Sequence, residues 1–416
     1  MPTKNIADTM SPKKLRVAAF LGVMGPGIIA GLSDDDPAGI TTYSSLGAKY
    51  GYQLLWTLLI STIALIIFQD LGARIGVVTR QGMIGLVRQK YGARSGMLSA
   101  VVLILANVGT MTAEFAGIAA AGELFGLSKY LSVPLAALIV SLLVLRGSFA
   151  RIEKVFFLLS AVFLAYIVAG FLAEPSWGSA FHGLFVPSMP LTRDAIYLAT
   201  ATLGTTLAPW GLAFIQSYAV DKRLTRDDLK LLRVDVWTGS LLTGVIGFFV
   251  VVTCAATLHK NGTPVNDAAQ AAQALEPLAG TLAKELFAVG LIGAALLAAS
   301  ILPLSTAYSV TDLTGRPAAL NDKFDDAPLF YTTFGLVTAV SMALILIPGA
   351  PLIKILILTQ ILNAVLLLPL LLYMFGISRD RRLMGEFIPS KTMSLVYIVI
   401  IAIVATAIFG MFWFSV

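Results

Sequence analysis

Three consecutive acids, Asp34, Asp35 and Asp36, lie in the apolar stretch GLSDDDPAGITT, followed at once by Pro37 and two residues later by Gly39. A carboxylate near the centre of a bilayer costs roughly 2.5–3.5 kcal/mol even on the lenient insertion scale, so three in a row must face water, a cation or one another. A second cassette with the same grammar, Ala208-Pro209-Trp210-Gly211, interrupts another apolar stretch and carries no acid. Proline deletes a helical hydrogen bond and glycine relaxes the backbone. In lipid such breaks persist only where protein buries them or where they line a cavity. Paired breaks at corresponding positions of two halves of a chain point to a binding site near the membrane midplane.

The side chains at the breaks favour a cation. Asp36 abuts the first break and is the best candidate ligand, with Asp35 beside it: a hard anionic oxygen next to carbonyls that Pro37 releases. The second break adds carbonyls from Thr205 to Ala208 and no charge. A helix N-terminus suits an anion, but an anion here would meet three aspartates. The competing reading makes 34–39 a surface loop. It leaves Ile40–Leu46 too short to span and puts Lys49 on the wrong side.

Two further stretches carry polar groups inside apolar runs. In LANVGTMTAEFAG, Asn107, Thr110 and Glu114 recur at seven and four residues, which places them on one helical face, with Thr112 nearby. A lone intramembrane Glu serves as proton relay, ion ligand or hydrogen-bonded structural group. In LILTQILNAVLLLP, Gln360 and Asn363 stand three apart on one face; hydrogen bonding between helices explains them as well as ion binding does. There is no nucleophile–base pair, no phosphate-cradling loop followed by Lys and no zinc motif. The single Cys254 excludes intrachain disulfides and Cys-built metal sites. His182 and His259 fall in expected loops. The chain does not read as an enzyme, and no cofactor is expected.

The elements that position these residues follow from composition. Of 416 residues, 57% are hydrophobic and 12% charged, against about 25% charged in soluble domains. This is an all-α polytopic membrane protein. Windows long enough to cross about 30 Å of hydrocarbon fall at 18–46, 52–76, 97–124, 131–146, 152–173, 191–219, 234–258, 284–312, 329–348, 352–376 and 393–414. The third and eighth are long enough to tilt or protrude. With the N-terminus in the cytoplasm and the C-terminus outside, 23 of the 29 basic residues lie inside, as the positive-inside rule requires. The six left outside are Lys49, Lys129, Arg193, Lys260, Lys284 and Lys354. Topology therefore explains the net charge of +6 without nucleic acid. The N-terminal segment reads as uncleaved, because its polar lead is long and the following run spans. A short surface helix is expected from Asn266 to Glu276. The breaks fall in spans one and six, the arithmetic of a five-plus-five inverted repeat: one repeat over about 18–173, the second over about 191–376, and an extra helix at about 393–414. All belong to one transport-type domain in the cell membrane, with the lipid bilayer as surroundings and no obligatory protein partner evident.

The sequence resembles the Nramp family of divalent-metal transporters. The resemblance rests on GPGIIAGLSDDDPAGITTYSSLGAKYG, QDLGARIGVVTRQGM, TAEFAG, TAYSV with DDAPLFY, IPGAPLI and TQILNAVLLLP, and so covers nearly the whole chain. It implies the leucine-transporter fold, with a metal ion held between unwound helices one and six. The family usually carries Asp-Pro-Gly-Asn in helix one and Met-Pro-His in helix six. Asp36 matches the aspartate ligand. Gly39 stands where the asparagine would be, Ala208 replaces the methionine and Trp210 the histidine. Glu114 matches the family's glutamate in span three, whose usual aspartate partner is Met111 here. Gln360 matches a glutamine associated with the metal site, and span nine lacks the basic pair of proton-coupled members.

These departures resemble the Nramp-related magnesium transporters. Methionine sulfur favours Mn²⁺, Fe²⁺ and Cd²⁺ over Ca²⁺ and Mg²⁺, so Ala208 removes that discrimination. Gly39 is expected to leave room for water. Mg²⁺ dehydrates reluctantly and is usually held through one or two carboxylates with waters retained; Asp35, Asp36 and Glu114 are candidates for holding it. The resulting expectation is uncoupled Mg²⁺ uptake with Mn²⁺ also accepted, the ion being transported substrate. The alternatives are a proton-coupled Mn²⁺/Fe²⁺ symporter, an amine or amino-acid carrier, and a non-transporting membrane protein.

Overall fold

Pro37 and Pro209 each open a helix, at the one position where a missing N–H costs nothing, and these two starts organise the molecule. The computed structural model describes residues 26–145, 161–266, 268–315 and 324–414, and every regular element among them is helical. The first span is the pair α1 (Pro26–Ser33) and α2 (Pro37–Tyr50), separated by the three aspartates. Then follow α3 (Leu55–Thr79), α4 (Met83–Tyr91), α5 (Ala93–Leu124), α6 (Lys129–Leu145), α7 (Ala165–Leu172) and α8 (Trp177–Phe185). The sixth span is again a pair, α9 (Arg193–Thr206) and α10 (Pro209–Asp221). The remainder comprises α11 (Leu229–Cys254), α12 (Ala283–Thr314), α13 (Pro328–Leu346), α14 (Leu352–Ser378) and α15 (Lys391–Trp413).

Wherever the eleven expected windows fall on described residues they are largely helical, with windows one and six broken. Among the described residues, eight helices are long and apolar enough to cross a bilayer. The other three windows correspond to the broken α1–α2 pair, the 17-residue α6 and α7, which bends by 120° into α8. The first parts of the first and fifth windows, the basic residues Lys4, Lys13, Lys14 and Arg16, and those at 146–154 and 316–323 lie outside the described residues.

Three expectations change. His182 sits within α8, and His259 closes a π-helical turn, Ala255–His259, that prolongs α11. There the His259 ring donates from Nδ1 to the Ala48 carbonyl at 2.9 Å. The surface helix expected at 266–276 is three short pieces, Ala268–Ala272, Gln273–Leu275 and Glu276–Ala279. Ala271, Ala272, Ala274 and Leu275 are buried against α12, so this is core.

The helix α5 packs most extensively on α12 and α14, and α1 packs on α11. The last contact is backbone to backbone. A Cβ on Gly239 would lie 2.2 Å from the Gly27 carbonyl oxygen, and one on Gly31 would lie 2.5 Å from Gly239. Asp235, one turn earlier on α11, accepts from the Gly27 N–H at 2.6 Å and satisfies an orphan donor at the start of α1. Arg233 on the same helix donates to Asp70 of α3 at 2.9 Å. Thus α11 holds both α1 and α3. Overpacking at such a contact costs about 1–3 kcal/mol. Gly239→Val is therefore expected to lower the melting temperature of the purified protein in detergent by several degrees, whereas an exposed α11 substitution such as Val234→Ala leaves it within error.

Candidate cation site

The two breaks follow one backbone logic. The helical partner of the Ser33 carbonyl would be the N–H of residue 37, and that of Thr205 the N–H of residue 209; both positions are proline, so both carbonyls are released. Asp36 caps α2: its Oδ1 accepts from the Gly39 N–H at 2.5 Å and its backbone oxygen from Ile40 at 2.9 Å. Ala208 occupies the corresponding cap of α10 without a side-chain cap. Its carbonyl accepts from Gly211 at 3.2 Å, so Thr205 contributes the open oxygens of this break.

The breaks meet at Gly39. A Cβ there would lie 2.6 Å from the Asp34 carbonyl oxygen and 3.2 Å from both Asp36 Oδ1 and Thr205 Oγ1. The room for water expected at Gly39 is thus occupied by the chain's own oxygens. Thr205 Oγ1 is buried without a partner. Asp34, Asp35 and Asp36 are 1–3% exposed, and none of the four carboxylate oxygens of Asp34 and Asp35 has a hydrogen-bond partner. The surface-loop reading of 34–39 does not hold.

α5 brings Glu114, fully buried, to face the Asp36 carboxylate, although neither of its oxygens makes a well-formed hydrogen bond. The approach depends on Gly117, one turn further on, where a Cβ would lie 2.3 Å from the Pro37 ring. The rest of the shared face disperses. Thr110 receives a hydrogen bond from Asn363 at 2.9 Å, Asn107 donates to Thr306 of α12 at 2.7 Å, and Thr112 turns back to the Val108 carbonyl.

On α14, Asn363 donates to Gln360 Oε1 of the same helix at 2.9 Å and to Thr110 of α5 at 2.9 Å, so Asn363 alone bonds across helices. Gln360 Nε2 and Asn363 Oδ1 remain buried and unpartnered. Gly204 lies directly against the Gln360 backbone, which puts α14 beside the second break one residue before Thr205. Among the described residues, no group of three His, Cys, Asp or Glu side chains is placed to hold a metal ion together. Any cation bound here would need carbonyl, hydroxyl, amide or water oxygens in addition to carboxylate.

Three buried groups escaped the sequence reading. Tyr43 and Thr206 hydroxyls lie 2.8 Å apart and tie α2 to the end of α9. Gln69 of α3 reaches the start of α10. Its only signal is its place in QDLGARIG, part of a stretch that carries the family resemblance. Trp210 and Met111, at positions where the family carries His and Asp, are both buried within one apolar cluster with Ala208, Phe115 and Phe214.

The family described as "Nramp: Natural resistance-associated macrophage protein-like" matches residues 27–414. The chain belongs to the Nramp family. It is 27% identical over 430 residues to the "Divalent metal cation transporter MntH" of Bacillus subtilis, covering 98% of this chain and 96% of that one. A Klebsiella pneumoniae relative of the same name is 27% identical, with 93% and 92% covered. Among solved structures, the Eremococcus coleocola manganese transporter superposes with a TM-score of 0.78 at 16% identity, covering 96% of this chain and 87% of that one. Mhp1, a nucleobase-cation-symport-1 family transporter, gives 0.61 at 15% identity, with 94% and 93% covered. MhsT gives 0.60 at 13%, with 96% and 98% covered. The fold is that of the leucine transporter, an all-helical multi-pass membrane architecture broken in spans one and six. The relatives are named as transporters, not enzymes.

Restoring the family's asparagine is not expected to improve the site. Gly39→Asn forces a Cβ onto the Asp34 carbonyl, so its Mn²⁺ binding, measured by calorimetry on monodisperse protein, should fall about tenfold or more below the parent.

Proposed function

We propose that the chain carries divalent metal cations across the membrane, with Asp36 as the principal charged ligand. The supporting donors are the carbonyls released at Ser33 and Thr205, the Thr205 hydroxyl, Asp35, Glu114 and the Gln360–Asn363 amide pair. Gly39 and Ala208 contribute backbone only. The observation that carries this reading is the meeting of both breaks around Asp36 in a buried, oxygen-rich space. The names of the relatives agree with it. Basic-residue placement supports a cytoplasmic N-terminus and an extracytoplasmic C-terminus.

The ion class follows from donor chemistry. All the candidate donors are hard oxygens, and no sulfur stands at Ala208, so nothing favours Mn²⁺ over Mg²⁺. Carboxylates too dispersed to grip a bare ion suit Mg²⁺ that keeps part of its water shell. The substrate is therefore Mg²⁺, with Mn²⁺ accepted. Uptake runs downhill without protons, because Trp210 and Met111 replace titratable groups with apolar packing. A specific observation favours the second reading, a proton-coupled Mn²⁺/Fe²⁺ symporter: Glu114 faces Asp36 in the interior and is a group that could exchange a proton.

Proteoliposomes separate the two. Millimolar Mg²⁺ should enter and compete with Mn²⁺ uptake, with no acidification of the lumen. Absence of both entry and competition overturns the Mg²⁺ assignment, and acidification that tracks metal entry establishes the symporter. Ala208→Met should shift the Mn²⁺-to-Mg²⁺ selectivity of uptake about tenfold towards Mn²⁺, a magnitude equivalent to about 1.4 kcal/mol.

A further inference from the structure

Asp34 matches nothing in the family's ligand pattern, yet its carboxylate is fully buried with both oxygens unpartnered. It follows the C-terminal end of α1, where released carbonyls and the helix dipole favour positive charge. Across from it, Gln69 of α3 is 0% exposed. Its Oε1 accepts from Ser240 at 3.3 Å, while its Nε2 has no partner. Both groups border the same gap: the side-chain position that Gly211 leaves empty is 3.7 Å from Asp34 Oδ1 and 3.8 Å from Gln69 Nε2.

We propose that Asp34 and Gln69 form a second station for a hydrated divalent cation, in the gap at Gly211 beside the Asp36 site. The inference rests on the transport reading above and extends it from one ion position to two. Two observations carry it independently. The first is charge. Asp34, Asp35, Asp36 and Glu114 are all buried, and among the described residues no Lys, Arg or His is buried with them. A cation entering this space would therefore meet carboxyl oxygens with no buried positive side chain beside them. An uncompensated buried charge is costly.

The second is the amide. Turning the Gln69 carboxamide by half a rotation presents Oε1 to the gap and Nε2 to Ser240 Oγ, which accepts as readily as it donates. The gap is then lined by one carboxylate and one amide oxygen, a hard donor pair of the kind that holds Mg²⁺ or Mn²⁺ with waters completing the shell.

The test uses the full-length protein and Mn²⁺ as probe. Equilibrium dialysis with metal analysis should give two Mn²⁺ per chain at saturation, with dipolar broadening of the electron paramagnetic resonance spectrum. Asp34→Asn should bind one ion and return a sharp isolated-ion spectrum. Gly211→Ala is the second variant: its methyl would make only ordinary contacts, it favours the helix, and it projects between Asp34 Oδ1 and Gln69 Nε2. It should therefore keep the parent's melting temperature and lose the second ion. A parent that binds one ion, or variants that match the parent in stoichiometry and spectrum, overturns the second station. The transport reading is read separately, by metal flux into proteoliposomes made with the parent protein. Absent flux with two bound ions refutes that reading alone, and flux with one bound ion refutes the second station alone.

Discussion

Everything in this fold depends on two carbonyls that have no helical partner. A membrane offers no water to hydrogen-bond a broken backbone, so Pro37 and Pro209 would be destabilising unless something else met the oxygens of Ser33 and Thr205. The fold answers by bringing both breaks to one place. Gly117 lets α5 close on the Pro37 ring, Gly204 lets α14 close on α9, and Gly39 lets the two breaks come within reach of each other's oxygens. Small residues at these contacts do in lipid what apolar burial does in water: they convert close packing into attachment.

Much of this was legible from residue types alone. Helix-breaking pairs in membrane-length apolar runs announced the site, and acids that could not face lipid announced its charge. The multi-pass helical architecture followed from apolar length, because a bilayer sets how long a spanning helix must be. Two kinds of information were not legible. One is which oxygens stay open: Ala208 looked equivalent to Thr205, but its carbonyl is engaged by Gly211, a matter of local turn geometry. The other is convergence across elements. Glu114, Thr110 and Asn107 share a helical face, yet they reach three different neighbours, since a face seven residues long is longer than one site. Gln69 is the converse case: its stretch resembles the family, but nothing there gives the side chain a role until α10 lies beside it.

The same logic explains why the ligands missing at positions 39 and 210 cannot simply be put back. At Gly39 the lost asparagine is replaced by backbone and side-chain oxygens already in place, and at Trp210 the lost histidine is replaced by an indole sealed into apolar packing. Both of these departures from the family pattern are accommodated by their neighbours.

On the proposed proton-free reading, the apolar packing around Trp210 and Met111 would also have an electrical consequence. Where no proton moves with or against the ion, each divalent cation crossing the membrane transfers two net charges. At about 2.3 kcal/mol per charge per 100 mV, an inside-negative potential of that size supplies roughly 4.6 kcal/mol per ion, equivalent to a concentration ratio above about a thousandfold. In a cell, the voltage across the bilayer would then be the energy source for accumulation, and a dry indole where the family carries an imidazole would be what commits the protein to it.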